Sequence, residues 1–198
     1  MPLIVLDPGH GEKGNPHTTA EGFYEGTQNF ILASKLKEKL ESAGFTVLMT
    51  RNKLEDNPTL EERGRLAGEN SADMFISVHS NAPGANAPDY SAVCGTETFY
   101  SVTDPEWNIP VARMLNTAVA EAMPTKDRGV KVRLYPESDN VDYYGVIRNS
   151  AQSGCKHAFL IEHGFHTNPQ DSAVLQSDEG LERIAEAEFN VLCKVFGM

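Results

Sequence analysis

The chain has 198 residues, of which 40% are hydrophobic and 23% are charged. This composition is typical of one soluble globular domain that is long enough to bury a core. The formal net charge of −11 at pH 7 argues against a nucleic-acid-binding groove, which requires clustered lysine and arginine. No segment is long and apolar enough to span a bilayer, and the first residues lack the pattern of a signal peptide. We therefore expect a single domain over residues 1–198 that binds no nucleic acid, crosses no membrane and is a monomer.

The three cysteines, Cys94, Cys155 and Cys193, are an odd number and lie far apart in the sequence. No two of them form a C-x-x-C pair, so they match neither a disulfide framework nor a thiolate zinc site. We expect all three to be small buried apolar residues.

The first part of the chain alternates strands and helices. Residues 3–6 form a short apolar run that ends in the sequence D-P-G-H-G at residues 7–11. This pattern is typical of a buried strand that opens into a glycine-rich loop. Residues 28–43 carry apolar side chains at helical spacing, and Gly44 stands where a glycine ends such a helix. Residues 45–49 are predicted to form the next strand.

The rest of the chain continues this alternation. The sequence T-L-E-E at residues 59–62 has the form of a helix capping box, and the helix that it starts is predicted to reach about residue 71. Apolar runs predict further strands, and helical periodicity predicts further helices. The predicted strands are 74–78, 96–100 and 158–161, and the predicted helices are 110–122 and 178–195.

Alternating strands and helices predict an α/β fold, with a mostly parallel central sheet and helices on both of its faces. In such folds, ligands bind at the carboxyl ends of the strands. His10, His79 and Glu162 each stand at or just after the C-terminal end of an apolar strand. We expect these three residues to meet at one edge of the sheet and to form a functional site.

The residue types at this edge are those of hydrolytic zinc sites. A catalytic zinc ion is held by three protein ligands, commonly histidines and a carboxylate, and keeps a further position open for water. His10 and His79 therefore need a carboxylate, and Glu25 lies in the segment that leads to the first predicted helix. We expect Glu25 to complete a site for one Zn²⁺ ion per chain, with Glu21 as the alternative ligand.

Hydrolysis of an amide also needs a group that moves protons beside the metal. Glu162 follows four apolar residues at the end of a predicted strand. A carboxylate in that position is seldom left unpaired or simply solvated. We expect Glu162 to be the general acid/base.

Several separate motifs occur in a fixed order along the chain. They are I-V-L-D-P-G-H-G at residues 4–11, Glu25 followed four residues later by Asn29, T-R at 50–51, Leu60 with Arg63, A-D-M-F-I-S-V-H-S-N-A at 72–82, G-T-E-T-F-Y at 95–100 and L-I-E-H-G-F-H-T-N-P at 160–169. In this joint order the chain resembles the type-3 zinc-dependent N-acetylmuramoyl-L-alanine amidases over nearly its whole length. The resemblance implies zinc bound by His10, Glu25 and His79, with Glu162 as the catalytic acid/base.

Two histidines depart from the pattern of that family. The family usually has an apolar residue where this chain has His163, and another where it has His166. Because the set of three ligands is complete without them, we expect both to be structural or to contact the ligands rather than the metal. His17 is expected to be a solvated loop residue.

The resemblance implies a peptidoglycan hydrolase that uses zinc-activated water to cut the amide between N-acetylmuramic acid and the L-alanine of the stem peptide. A segment containing Arg128, Arg148, Tyr143 and Tyr144 is a candidate groove for the stem peptide and its carboxylates. Two alternatives stay open, namely another zinc peptidase or deacylase of similar fold and a non-catalytic cell-wall-binding module. The chain is expected to reach the wall by release from the cytoplasm, as an endolysin or after mother-cell lysis, or as part of a secreted protein.

Overall fold

The computed structural model describes residues 1–15, 23–84 and 91–198, and these residues form one six-stranded sheet and six helices. The strands are β1 (Leu3–Pro8), β2 (Thr46–Met49), β3 (Met74–Asn81), β4 (Thr96–Tyr100), β5 (Asp127–Lys131) and β6 (Ala158–Phe165). The helices are α1 (Glu25–Ser42), α2 (Leu60–Glu69), α3 (Pro105–Ala122), α4 (Gly145–Ser153), α5 (Pro169–Leu175) and α6 (Asp178–Phe196).

The sheet is mostly parallel, as the sequence predicts. Its strand order is β2-β1-β3-β6-β4-β5. The strands β2, β1, β3 and β6 run in one direction, whereas β4 runs antiparallel to β6 and parallel to the edge strand β5. Because β1, β3 and β6 are adjacent and parallel, their carboxyl ends lie together at one edge of the sheet.

Helices cover both faces of the sheet, which confirms the predicted layers. One face packs against α1, α3 and α6 through a large apolar cluster that includes Ile4, Leu36 and Ile184. The other face packs against α2 and α4 through a smaller cluster that includes Val5 and Ile147. Neighbouring residues of β1 belong to opposite clusters because successive side chains of a strand point to opposite faces.

The capping box predicted for α2 is present. The Thr59 hydroxyl accepts from the backbone N–H of Glu62, and the Glu62 carboxylate accepts from the backbone N–H of Thr59. The predicted start of α3 at residue 110 was wrong. This helix begins at Pro105, because the Asp104 side chain accepts from a first-turn N–H and a proline fits the first helical position. Pro110 therefore lies inside the helix.

Three elements, β5, α4 and α5, are short and were not predicted. β5 is an edge strand whose residues are mostly half-buried, and its sequence contains no apolar run that would have predicted it. The strands β3 and β6 also extend further than the sequence indicates, to Asn81 and Phe165. As a result His79 and Glu162 lie within strands rather than after them.

Two further predictions concerned the burial of the cysteines and the absence of membrane-spanning segments. The expectation that all three cysteines are buried was wrong: all are free thiols, but only Cys155 is buried, whereas Cys94 and Cys193 are partly exposed. Cys94 lies before β4, and Cys193 lies off the most buried stripe of α6. Within the described ranges, no helix combines the length and the apolarity that crossing a membrane requires.

Candidate metal centre and active site

The loop after β1 presents His10 at the edge of the sheet. His10 has a φ of 62°, a left-handed conformation that is uncommon outside glycine but less so for histidine than for most residues. Arg63 of α2 fixes this loop: Nη2 donates to the carbonyl oxygen of His10 at 2.8 Å, and Nη1 donates to that of Pro8 at 2.8 Å. The His10 side chain stays partly exposed, at 38%.

Arg63 is itself anchored by Asp7, which is fully buried in β1. The Asp7 carboxylate accepts from Arg63 Nη1 at 2.8 Å, from Thr50 Oγ1 at 2.6 Å and from Ser77 Oγ at 2.6 Å. Both carboxylate oxygens therefore have partners, which is the condition for burying an ion pair at acceptable cost. Thr50 and Arg63 belong to two of the sequence motifs, and the structure gives both this supporting role.

His79 of β3 lies directly against the backbone of Gly9. A Cβ atom at residue 9 would lie 2.2, 2.4 and 2.7 Å from three atoms of the His79 ring. Glycine is therefore the residue that allows this approach. The His79 side chain is 17% exposed, and its ring centroid lies 5.1 Å from that of His10.

Glu25 is the first residue of α1 and is buried, at 1% exposure. Its Oε1 accepts from the backbone N–H of Ser80 at 3.0 Å and from Asn29 Nδ2 at 3.2 Å, and its Oε2 accepts from Asn15 Nδ2 at 2.5 Å. Burial alone would raise the pKa of Glu25, but hydrogen bonds from the two histidines outweigh it and hold that pKa well below its usual range. The carboxylate is therefore charged at neutral pH.

The structure brings the three predicted ligands together. One ligand atom each from His10, Glu25 and His79 lies within 4.8 Å of the other two. The Glu25 carboxylate is 3.3 Å from His10 Nε2 and 3.1 Å from His79 Nδ1, and its hydrogen bond to His10 is the main cause that raises the pKa of His10. Two imidazole nitrogens and one carboxylate oxygen fit the donor set of a catalytic zinc site. The alternative ligand Glu21 and the loop residue His17 lie outside the described residues.

Glu162 lies beside this cluster. It is the register partner of His79 in the β3–β6 pair, so the two side chains project from the same face of the sheet. Its Oε2 is buried and has no hydrogen-bond partner among the described residues. Burial, followed by the negative charges of Glu25 and Glu97, raises the pKa of Glu162 well above its usual range. A raised pKa suits a carboxyl group that both accepts and donates a proton near neutral pH.

A second carboxylate, Glu97, stands next to Glu162 and was not predicted as a site residue. Glu97 of β4 is the register partner of Glu162 in the β4–β6 pair. It accepts from Asn81 Nδ2 at 3.0 Å, from Arg128 Nε at 2.8 Å and from Lys131 Nζ. Burial would raise the pKa of Glu97, but these two cations lower it. Neighbouring carboxyl groups with pKa values pushed in opposite directions are typical of acid/base sites.

A cavity of about 360 Å³ opens beside the two histidines. It is lined by Asp7, Gly9, His10, Asn57, Pro58, Thr59, Leu60, Arg63, His79 and Val146. Leu60 is 59% exposed at its margin. A larger groove of about 700 Å³ lies between α3 and α6 and includes none of the predicted site residues. Chemistry, rather than volume, therefore identifies the cavity beside the histidines as the candidate active-site cleft.

The residues predicted to frame a peptide groove do not all lie at the site. Arg128 binds Glu97 and lies over the ring of Phe165, 5.0 Å from its centroid, so it is close to the site. Arg148 Nη1 donates to the carbonyl oxygens of Asp142 and Tyr143, each at 2.8 Å, so it fixes the loop before α4. Tyr143 is 38% exposed.

The comparisons with known proteins agree with this fold. The family described as N-acetylmuramoyl-L-alanine amidase, Amidase_3, matches residues 4–194. The N-acetylmuramoyl-L-alanine amidase LytC of Bacillus subtilis (strain 168) is 28% identical over 185 residues, which are 93% of this chain and 33% of LytC. The uncharacterized protein YqiI of the same organism is 31% identical over 189 residues, which are 94% of this chain and 81% of YqiI. A crystal structure of an N-acetylmuramoyl-L-alanine amidase from Clostridium difficile 630 has a TM-score of 0.83 at 26% identity and covers 99% of this chain and 97% of its own.

Fold and site together define an α/β protein with a His–Glu–His cluster at the carboxyl ends of a mostly parallel sheet. With residues 4–194 matched, the chain belongs to the N-acetylmuramoyl-L-alanine amidase family. It spans about a third of the length of LytC.

Proposed function

We propose that the chain is a zinc-dependent N-acetylmuramoyl-L-alanine amidase that hydrolyses the amide between N-acetylmuramic acid and the L-alanine of the peptidoglycan stem peptide. The observation that carries the proposal is the convergence of His10, Glu25 and His79 beside the partnerless carboxyl oxygen of Glu162. The family match supports the reaction. The single sheet shared by the described residues supports one catalytic domain over residues 1–198.

His10, Glu25 and His79 would hold one zinc ion per chain. When bound, zinc would supply Lewis-acid chemistry at the scissile carbonyl and would acidify the attacking water. Glu25 needs no deprotonation for this at neutral pH, because its pKa is held low. His10 must first lose its proton, since hydrogen bonding to Glu25 raises its pKa, so zinc and protons compete at this residue.

Glu162 performs the proton transfers. It takes a proton from the water that attacks the scissile carbonyl carbon, and it later gives a proton to the alanine nitrogen as the C–N bond breaks. The products are a lactyl carboxylic acid on the sugar and a peptide with a free amine. The ion-paired Glu97 beside it stays charged, and its charge helps to raise the pKa of Glu162, which makes the ionised Glu162 a stronger proton acceptor.

The cleft beside the histidines would receive the scissile bond. Stem peptides carry carboxylates, whereas the chain carries a net charge of −11. Arg128 and Lys131 of β5 both form ion pairs with Glu97, which is the neighbour of Glu162 in the sheet. Both cations are partly exposed. We infer that these cations offset the acidic surface locally and face the peptide carboxylates.

The family assignment supports the bacterial cell wall as the place of action. We propose that the chain works there as a monomer, because one copy supplies all four residues of the site. The chain would reach the wall either by release from the cytoplasm or by secretion.

Mass spectrometry of digested peptidoglycan tests the reaction. Purified peptidoglycan is incubated with zinc-loaded protein and, in parallel, with protein in excess chelator. We expect stem peptides with a free N-terminal alanine in the first sample only. Shortened peptides still joined to muramic acid would replace the proposal with a zinc peptidase, and the absence of metal-dependent release would indicate a non-catalytic wall-binding module.

A further inference from the structure

Helix α6 buries a carboxylate in the middle of its apolar face. Leu181, Ile184, Ala185 and Leu192 form that face, and Glu188 stands among them at helical spacing with 0% exposure. A buried carboxylate needs a partner, because leaving water is costly for a charged group. The partner is His163 of β6, whose Nε2 lies 3.0 Å from Glu188 Oε1.

The second ring nitrogen of His163 reaches the metal-centre strand. His163 Nδ1 lies 3.0 Å from the backbone carbonyl oxygen of His79. A carbonyl oxygen only accepts, so Nδ1 must carry a hydrogen and donate. Nε2 and Glu188 Oε1 then share one further proton, and the pair has no net charge whichever atom holds it. This neutrality is compatible with exposures of 1% and 0%.

The contact forms where the β3–β6 pairing becomes irregular. In the β3–β6 register, His79 pairs with Glu162 but Asn81 pairs with Phe165. One residue of β3 therefore faces two of β6, namely His163 and Gly164, and Gly164 takes a φ of 79°. Such bulges interrupt the ladder of backbone hydrogen bonds and are frequent beside active sites. The His163 ring donates to the His79 carbonyl at this irregularity.

The same peptide unit also contacts Glu25. The unit that joins His79 to Ser80 accepts from His163 through its carbonyl and donates through its N–H to Glu25 Oε1 at 3.0 Å. A continuous row of hydrogen bonds thus runs from Glu188 to the carboxylate of the metal centre. Donation to a carbonyl polarises the peptide and strengthens its N–H as a donor.

We propose that His163 and Glu188 are positioning residues that fix the 79–80 peptide, and through it the orientation of His79 and Glu25 for metal binding. The inference rests on the proposed metal centre. His163 is the donor on which the effect depends, and Glu188 holds the His163 ring in the required orientation. In metal sites generally, loss of such outer partners weakens metal affinity about 10- to 100-fold.

A matched pair of double variants isolates the donor. His163→Leu with Glu188→Leu removes the pair without leaving a buried carboxylate alone, and His163→Asn with Glu188→Leu differs only by a side-chain amide that can donate to the His79 carbonyl. Zinc affinity is measured for both and for the wild type by competition with a chromophoric chelator, and thermal unfolding is measured without metal. We expect similar unfolding of the two variants, zinc binding about 10- to 100-fold weaker than wild type for the leucine variant, and substantial recovery for the asparagine variant.

Equal zinc affinities of wild type and both variants would overturn the inference while leaving the metal centre intact. A wild-type protein that binds no zinc would overturn both. Because the variants could fail to fold, nitrogen-15 spectra of the wild-type histidine rings give a second test. We expect His163 Nδ1 to be protonated and its resonance to shift when zinc is added; an unprotonated Nδ1, or a resonance that zinc leaves unchanged, would overturn the inference.

Discussion

Glu162 combines two properties that conflict in a purely structural residue. Its Oε2 is buried without a partner among the described residues, and its pKa is raised well above the usual range by burial and by neighbouring carboxylates. A buried carboxyl group left in this state destabilises the fold unless it is protonated. Proteins retain such groups where the chemistry requires them. Two consequences can be measured with the same substitution.

The first consequence concerns turnover. Glu162→Gln preserves the shape of the side chain but can neither accept nor release a proton. We expect the rate of amide cleavage to fall about 10²- to 10⁴-fold, the usual contribution of general acid/base catalysis, with zinc affinity close to that of the wild type. Turnover is measured on a soluble muramoyl peptide, and bound zinc by metal analysis. A variant that retains near-normal turnover would remove Glu162 from the mechanism.

The second consequence concerns stability in the metal-free protein. Because the folded-state pKa of Glu162 lies above the ordinary value of 4.5, the folded state binds this proton more tightly than the unfolded state. The stabilisation that this tighter proton binding gives the folded state is complete below pH 4.5 and is lost as the pH rises through the folded-state pKa of Glu162. We expect Glu162→Gln in chelator to be more stable than the wild type at neutral pH by about 1–3 kcal/mol. Denaturant unfolding at several pH values should show this difference shrinking with acidification; equal stability at neutral pH would contradict the account.

Gly9 is the residue whose loss should damage the metal centre most selectively. A Cβ atom there would fall within 2.2–2.7 Å of the His79 ring, which is closer than a Cβ atom can approach a non-bonded atom unless something shifts. We expect Gly9→Ala to push the ring of His79 out of place and to weaken zinc binding at least tenfold, because metal sites tolerate only small errors in ligand position. Competition with a chelator measures the change. Gly84→Ala is the control, since a Cβ atom at Gly84 would meet no described residue within 4 Å.

At the scale of elements, α2 holds the loop that carries His10. Arg63 joins the carbonyls of Pro8 and His10 to the buried carboxylate of Asp7. Arg63→Leu leaves that carboxylate without its counter-ion, and we expect it to lower the free energy of unfolding by about 3–5 kcal/mol. Arg65→Leu, on the same helix, is the matched control because its ion pairs with Glu61 and Glu69 are exposed and such pairs contribute little to stability. Equal effects of the two substitutions in denaturant unfolding would contradict the assigned role of Arg63.

The elements that could be predicted from the sequence are those with a strong periodic signal. The strands β1 and β3 are continuous apolar runs, and α2 begins at a capping box, so their positions followed from local patterns. The edge strand β5 and the short helix α4 were not predicted, and their positions depend on contacts with β4 and α2 that are distant in sequence. The early start of α3 was missed because two prolines, Pro105 and Pro110, compete for the same position.

The residues of the candidate site could be predicted more fully than the residues that hold them in place. His10, His79 and Glu162 could be found because each stands near the end of an apolar strand, and the strand order brings those ends together. The roles of Asn15, Glu97 and Glu188 could not be found, since each depends on a contact that only the folded chain creates. Glu188 did leave one signal in the sequence, which is a charged residue on the apolar stripe of α6.

At the scale of the whole molecule, the proposed metal ion would join three parts of the chain. His10 follows β1, Glu25 begins α1 and His79 lies in β3. A ligand that binds the folded state alone stabilises it, by about 2.7 kcal/mol when its free concentration is 100 times the dissociation constant. Zinc binding, stability and turnover should therefore rise together if the cluster is the catalytic centre.

The most direct test is a zinc titration of the metal-free protein in which bound zinc and amide cleavage are followed in the same sample. We expect turnover to rise linearly with added zinc and to stop rising at one zinc ion per chain. We also expect Glu162→Gln to bind the same single equivalent with turnover lowered about 10²- to 10⁴-fold, and His79→Ala to bind no zinc tightly. Full turnover in the metal-free wild type, or unchanged tight zinc binding in His79→Ala, would contradict the central claim that His10, Glu25 and His79 form the metal centre of this amidase.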